Sequence, residues 1–316
     1  AAGSGPLNTS QFASAPRMLP AMWARHDIDD GGQRDLARIG SLVDRLEPLL
    51  DRWFRPVVRG VEHLPSGAAL LVGNHNGGIA TPDTWILATA IARTHGVEAL
   101  PFGLAHDTAI RAPVLNQILV PLGAVRARRE NALRLFEADR HVLVYPGGDA
   151  DAMRPSRRRD EIVFDGRAGY IRLAVEAGVP ILPVVAAGAH SGFLVLTEGR
   201  RLARWLRADR LLRFKVLPIA LSFPLGLTVG LGFPYLPIPT RIFIEMLPPV
   251  RFERSGPEAA ADVDYVAACD AQVRAQMQAT LTRLAAERRL RQPRHAPHHR
   301  RPAAAGTVEH RYWCGC

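Results

Sequence analysis

The sequence predicts an α/β fold: one domain with a mixed central sheet flanked by helices. Strand-like apolar runs at residues 69–72, 99–102, 141–145 and 181–185 alternate with helical runs at 84–93, 131–139 and 169–177. Such alternation covers a sheet with helices on both faces. The chain has 316 residues, 47% of them hydrophobic, enough for one large core. No internal repeat breaks the pattern. In sheets of this kind ligands bind at the carboxyl ends of the strands, and His75, Arg129 and residues 146–148 all fall there.

Residues 1–30 contain Pro, Ser and Ala and no contiguous apolar stretch, so they are expected to be a flexible arm without a secretory signal. The domain is expected to run from 31 to 290. Its first element is a helix over about 34–54, where Leu36, Ile39, Leu42, Val43, Leu46, Leu49, Leu50 and Trp53 recur at helical spacing and Pro48 marks a kink. This amphipathic helix either packs on the sheet or lies on a lipid surface.

Residues 216–240 form a 25-residue span without a charged side chain. Length alone permits a membrane-spanning helix. Pro218, Pro224, Pro234, Pro237 and Pro239, with Gly226, Gly230 and Gly232, argue against a straight one, because they would leave backbone groups unpaired in lipid. The segment therefore dips into one leaflet, lines an acyl-chain groove, or folds as an ordinary loop-and-strand region. Residues 291–316, with Pro293, Pro297, Pro302 and a run of His and Arg, read as a disordered basic tail.

The formal net charge is +10, but +6 of it lies between Arg283 and the end. A basic tail suits an anionic membrane surface, at about 1 kcal/mol per basic residue held there, better than it suits nucleic acid. The alternative is a merely solvated tail. The three cysteines, Cys269, Cys314 and Cys316, make no disulfide framework, and no His/Cys pairs stand at zinc spacing. No metal site is expected, and a reducing compartment fits. No Gly-x-Ser-x-Gly occurs, since Ser191 is out of register, which argues against a serine hydrolase. Lys215 is the only lysine and stands in no phosphate-binding loop, which excludes a P-loop enzyme.

The chemistry-bearing segment is Leu70-Leu71-Val72-Gly73-Asn74-His75-Asn76-Gly77-Gly78, an apolar strand that ends in a histidine at a turn. Asp83 follows eight positions on, near the start of the next helix, where its carboxylate can orient the ring. A histidine of near-neutral pKa accepts a hydroxyl proton, and a bonded carboxylate fixes its tautomer. A hydrogen-bonded structural histidine is the bland alternative.

Gly60-Val61-Glu62-His63-Leu64-Pro65 leads into the His75 segment, and that segment, Gly123-Ala124-Val125 through Arg129-Glu130-Asn131, Tyr145-Pro146-Gly147-Gly148 and Val179-Pro180-Ile181-Leu182-Pro183-Val184 stand in the order of the four sequence blocks of the glycerolipid acyltransferases. Over about residues 57–250 the chain resembles the lysophospholipid/glycerolipid acyltransferase superfamily, and its Pro-Gly-Gly block is similar to the branch containing monoacylglycerol and diacylglycerol acyltransferases. Two departures stand out. The family's His-x4-Asp becomes His75 with Ala80 at the acidic position and Asp83 beyond it. Its Pro-Glu-Gly becomes Pro146-Gly147-Gly148, with Asp149 or Asp151 as replacement acids.

The resemblance implies acyl transfer from an acyl thioester, acyl-CoA or acyl-carrier protein, to the hydroxyl of a lipid acceptor, with no cofactor beyond that co-substrate. His75 and Asp83 would be catalytic, Gly147 and Gly148 would line an oxyanion or acceptor loop, and Arg129 and Arg154 would bind substrate phosphate. Arg157-Arg158-Arg159 either joins them or is solvated. The protein is then expected at the cytoplasmic face of a membrane. The alternative is a catalytically degenerate lipid-binding protein.

Overall fold

Leu70, Leu71, Val72 and Gly73 are buried on both faces, and a strand with no polar face belongs in the middle of a sheet. The computed structural model describes residues 25–78, 80–205, 217–230 and 235–291. It contains ten strands: β1 (Val57–Arg59), β2 (Leu70–Gly73), β3 (Phe102–Ala105), β4 (Ala124–Arg126), β5 (Val142–Val144), β6 (Ile181–Ala187), β7 (Leu194–Thr197), β8 (Ile219–Ser222), β9 (Gly226–Val229) and β10 (Phe243–Met246). Seven of them form the main sheet in the order β1-β10-β6-β2-β5-β3-β4, with β2 at its centre. Leu70 sits between Val142 of β5 and Ile181 of β6, both in parallel register. Only the β10–β6 pairing is antiparallel, so the sheet is mixed, as the sequence predicts.

Alternate side chains of β2 enter different cores, as the two-residue period of a strand requires. Leu71 packs with Ile39 and Val43 of α1 (Leu36–Phe54) and with Ile86 and Ile91 of α2 (Pro82–His95). Leu70 and Val72 join Ala132 and Leu135 of one helix, Ile171 and Ala174 of another, and Met277 and Leu281 of the long C-terminal helix Val263–Arg291. Of the two fates open to the amphipathic helix α1, the structure shows packing, with Pro48 inside it; Leu36, Leu49 and Trp53 remain exposed.

Three boundaries differ from the sequence reading. The strand expected at 99–102 runs from Phe102 to Ala105, because Pro101 has no N–H to give a ladder and residues 97–99 wind into a 3-10 turn before it. Residues 25–30, assigned to the flexible arm, are tied to the body: His26 N–H donates to Asn116 Oδ1 at 2.8 Å and Arg126 N–H to Ile28 O at 2.7 Å. The 29-residue C-terminal helix escaped notice because its buried positions, among them Val266, Cys269, Val273 and Met277, are spaced among Ala, Gln and Arg that blur the apolar stripe. Residues 1–24 and 292–316, which carry the rest of the arm and most of the tail, lie outside the described residues.

Within the uncharged 216–240 span, residues 219–229 fold as a hairpin, and residues 235–240 are irregular apart from a bridge between Leu236 and Phe223. β7, β8 and β9 form a separate antiparallel three-stranded sheet. Among the described residues no helix is long and apolar enough to cross a membrane.

The two sheets predict opposite responses to truncation. Leu71→Ala removes a side chain with 0% exposure and should cost about 2–5 kcal/mol, read as a lower urea midpoint at unchanged slope. Leu227→Ala, in the small sheet and 66% exposed, should change stability by no more than about 0.5 kcal/mol.

Candidate active site

β2 delivers the loop that carries His75, and the loop is fixed residue by residue. Gly73 is required because a Cβ there would lie 2.5 Å from the Tyr145 ring. Asn74 extends the ladder past the strand end, its amide donating to Ala186 O at 2.9 Å and accepting from Ala186 N–H at 2.8 Å. His75 N–H donates to Asp151 Oδ2 at 2.6 Å, and His75 O accepts from Arg154 Nη1 at 2.8 Å. Asn76 Nδ2 donates to Ala186 O at 3.1 Å and to Asp83 Oδ2 at 3.3 Å. Gly77 and Gly78 then turn the chain through positive φ of 69° and 63°. Tyr235 closes the far side, its hydroxyl donating to Gly77 O while accepting from Ala80 N–H at 3.2 Å.

Beneath the loop lies a fully buried ion pair. Asp151, in the short helix Gly148–Ala152, meets Arg154 at 2.8 Å, and both side chains have no exposure. Burial pushes the Asp151 carboxyl up to about 6, against the opposing pull of Arg154 and the His75 N–H. Arg154 donates to the carbonyls of His75, Asp151, Arg158 and Arg159, to Asp151 Oδ1 and to Asn76 Oδ1. These bonds use all five N–H groups of a guanidinium. His190 Nε2 donates to Arg154 O at 2.7 Å, adding a second buried imidazole to the cluster.

The His75 ring lies 4.8 Å from the Tyr145 ring, and the Tyr145 hydroxyl pairs with Thr84 Oγ1 at 2.7 Å. Burial, reinforced by the Arg154 charge, drives the His75 pKa down to about 4, so the ring is neutral at pH 7. Asp83, the second residue of α2, goes the other way: burial raises its carboxyl to about 7. His75 Nδ1 and Asp83 Oδ1 are buried with no hydrogen-bond partner among the described residues.

This geometry revises several expectations. The bond expected between Asp83 and the His75 ring is not made; the Asp83 carboxylate takes its side-chain bond from Asn76. Gly148 N–H donates to Tyr145 O at 3.1 Å, inside a turn, and so does not point at a reacting oxygen. Gly147 is glycine for packing, since a Cβ there would lie 2.1 Å from Val163 O. Arg154, expected to bind a phosphate, has every donor committed to the protein. Arg129 begins the helix Arg129–Glu137 and bonds to Glu176 instead of reaching the His75 loop. In the Arg157-Arg158-Arg159 run, Arg157 and Arg159 are exposed while Arg158 pairs with Glu161. Of the two replacement acids, Asp151 holds the His75 backbone, and Asp149 pairs with Arg167 at 3.2 Å.

Asn74, Asn76, Tyr145, His190 and Tyr235 were given no site role by the sequence reading. Asn-His-Asn directly after a buried strand was the available signal, because amides that flank a loop histidine can replace lost ladder bonds. Among the described residues no three His, Cys, Asp or Glu side chains converge as metal ligands.

The site thus consists of a histidine at the carboxyl end of a central strand, over a buried ion pair, with the Asp83 carboxyl bonded to the next residue, Asn76. Comparison with known families gives the following similarities. Residues 55–187 match the family described as Acyltransferase. An uncharacterized protein of Mycobacterium tuberculosis is 31% identical over 238 residues, 75% of this chain and 63% of its own length. The mouse protein named "DGAT1/2-independent enzyme synthesizing storage lipids" is 28% identical over 225 residues, 70% of this chain and 63% of its own. The chain therefore spans less than two thirds of these curated relatives. Among solved structures, the 1-acyl-sn-glycerophosphate acyltransferase PlsC from Thermotoga maritima is similar at a TM-score of 0.49 and 18% identity, over 79% of this chain and 80% of that one.

The raised Asp83 pKa has a consequence for stability. Between the unfolded carboxyl value of 3.8 and about 7 the folded state holds a proton that the unfolded state has lost, so stability from this group is full below 3.8 and falls as pH rises through 7. Asp83→Asn cannot ionise and escapes the loss. Its melting temperature should match the wild type near pH 4 and exceed it near pH 8, with a free-energy gain of at most about 4 kcal/mol. Equal melting temperatures at both pH values would show that Asp83 has an ordinary pKa.

Proposed function

We propose that the domain moves a fatty acyl group from an acyl thioester to the hydroxyl of a glycerolipid or lysophospholipid, with His75 as general base, at a membrane surface facing the cytoplasm. The observation that carries this reading is His75, held from both sides of its backbone by a buried ion pair, its ring pushed toward the neutral form by burial, within the residues that match the Acyltransferase family. A neutral ring is able to take the acceptor's proton as its oxygen attacks the thioester carbonyl, and a fixed backbone keeps the ring in place while it does so. The attacking oxygen forms the new ester bond, the thiolate leaves, and the proton on His75 passes to the departing sulfur. No covalent enzyme intermediate is needed.

Asp83 completes the base in this reading. His75 Nδ1 and Asp83 Oδ1 are complementary atoms left without partners, one from each member of the pair the sequence singles out. Catalytic hydrogen bonds are often long in the free enzyme and tighten around substrate. An ionised Asp83 paired with Nδ1 would stabilise the imidazolium.

Donor and acceptor classes rest on the relatives' names and on the family resemblance. The experiment is thiol release from palmitoyl-CoA and from palmitoyl-acyl-carrier protein, each offered with monoacylglycerol, diacylglycerol and lysophosphatidate. His75→Ala should lower turnover by about 10²- to 10⁴-fold at unchanged melting temperature. Near-wild-type turnover in that variant removes His75 as the base. No thiol release from either donor with any acceptor returns the chain to a lipid-binding role.

The pH profile tests Asp83 separately. Activity requires a neutral His75 and an ionised Asp83, and of the two the carboxyl has the higher pKa, about 7 against about 4. The acid limb of kcat/KM should therefore fall near pH 7 in the wild type. In Asp83→Asn it should move toward 4, with a lower plateau. A limb that stays in place would assign it to another group.

A further inference from the structure

The small sheet is built inside out. In an antiparallel sheet with one face on the core, apolar side chains point inward and polar ones outward. Here the outward positions Leu194, Leu196, Leu221, Phe223, Leu227 and Val229 are 40% to 66% exposed, while Val195, Ala220 and Ser222 are buried. Register puts Leu221 beside both Leu194 and Leu227, so these side chains share one face. The polar groups turn the other way: Thr228 Oγ1 donates to Ala220 O at 3.1 Å and sits 3.4 Å from Ser222 Oγ. The arrangement leaves several large apolar side chains side by side in water, beyond the scattered exposure normal for a surface.

The apolar surface continues past the sheet. Phe223 bridges to Leu236, whose N–H donates to Phe223 O at 2.8 Å, and Ile238 follows, half exposed. The Trp53 indole of α1 donates to Pro237 O at 2.8 Å, bringing the exposed Trp53 and Leu49 to the same margin. A basic margin lies at the other side, where Val195 N–H donates to Ser156 Oγ at 2.9 Å and the exposed Arg157 and Arg159 adjoin.

From this surface we infer a lipid-docking plate: the β7-β8-β9 face, extended by Leu236, Ile238 and Trp53, seats in one leaflet of an anionic bilayer. The partner is lipid because the outward positions of β8 and β9 offer no charge and no side-chain hydrogen-bonding group, as hydrocarbon requires. Arginines and a tryptophan at the margin match anionic headgroups and the interfacial zone. Tyr235, next to Leu236, holds Gly77 and Ala80 of the His75 loop and stacks on Phe193 at 4.6 Å. Docking thus sets the acid–base loop beside the lipid surface from which a membrane-borne acceptor arrives. This inference goes beyond the acyl-transfer reading and stands without it.

The test uses the full chain and vesicles of phosphatidylcholine and phosphatidylglycerol at 3:1, in 0.1 M and in 1 M NaCl. High salt screens exposed charges to about 3 Å and isolates the apolar contribution. The double variant Leu221→Ser/Leu227→Ser should lose at least tenfold in partition coefficient at 1 M NaCl, with an unchanged melting temperature. Leu227→Trp, which keeps an apolar face whatever the serine variant does, should have its added fluorescence quenched by acyl-brominated lipid. Wild-type partitioning of the double variant in high salt, or no added quenching in Leu227→Trp, overturns the proposal. So does a wild-type dimer that the double variant turns into a monomer with vesicle binding intact, since the face would then meet a second copy. Thiol release with a water-soluble short-chain acceptor should be unchanged in the double variant, while turnover of vesicle-borne acceptor falls. Equal loss with both acceptors would place these leucines in the acyl-transfer site and overturn docking as their role.

Discussion

The buried Arg154–Asp151 pair is the constraint on which the site depends. It joins the end of β2, the short helix after β5 and the turn at residues 158–159. Removing one member of such a pair strands the other charge and costs about 3–5 kcal/mol, whereas a surface ion pair is worth little. The same two residues act on His75 in two ways. Asp151 and Arg154 hold its backbone N–H and carbonyl, and the Arg154 charge adds to burial in keeping its ring neutral. The pair thus fixes the position of His75 and adds to the effect of burial on its protonation state.

Burial of this cluster moves its acids and bases in opposite directions. The imidazoles of His75 and His190 are driven below their ordinary range, and the carboxyls of Asp83 and Asp151 above theirs, because desolvation disfavours every charged form. Arg154 makes six hydrogen bonds within this cluster. Asp83 is the weakly held member of the cluster, with one long side-chain bond and one unpartnered oxygen among the described residues.

Much of this was legible in the sequence. β2, β5, β6 and the helices after β2 and β4 announce themselves because buried parallel strands are unbroken apolar runs and their crossover helices are amphipathic. His75 is legible for the same reason: it ends such a run at a Gly-Gly turn. The roles of Arg154 and Gly148 were not legible. Each has the residue type expected of a ligand-binding position, and only the fold shows that the Arg154 guanidinium is enclosed by carbonyls and that the Gly148 N–H is spent on Tyr145. Asp151 was legible only as one of two replacement acids, because its bond to His75 crosses 76 residues of chain. The hairpin of β8 and β9 was legible only as one of three readings of the 216–240 span, because an uncharged, proline-rich segment suits a lipid leaflet or an acyl-chain groove as well as a loop-and-strand region.

The central claim is that this cluster keeps His75 as a neutral base fixed at the end of β2. The most direct measurement is an NMR pH titration of the His75 imidazole in the full chain, with its resonances assigned by their loss in His75→Gln. The account predicts a midpoint near 4, well under the ordinary 6.5, and a neutral ring throughout the physiological range. A midpoint at or above 6.5 would contradict it, because His75 would then be a solvated or carboxylate-paired imidazole that the Arg154–Asp151 pair does not govern.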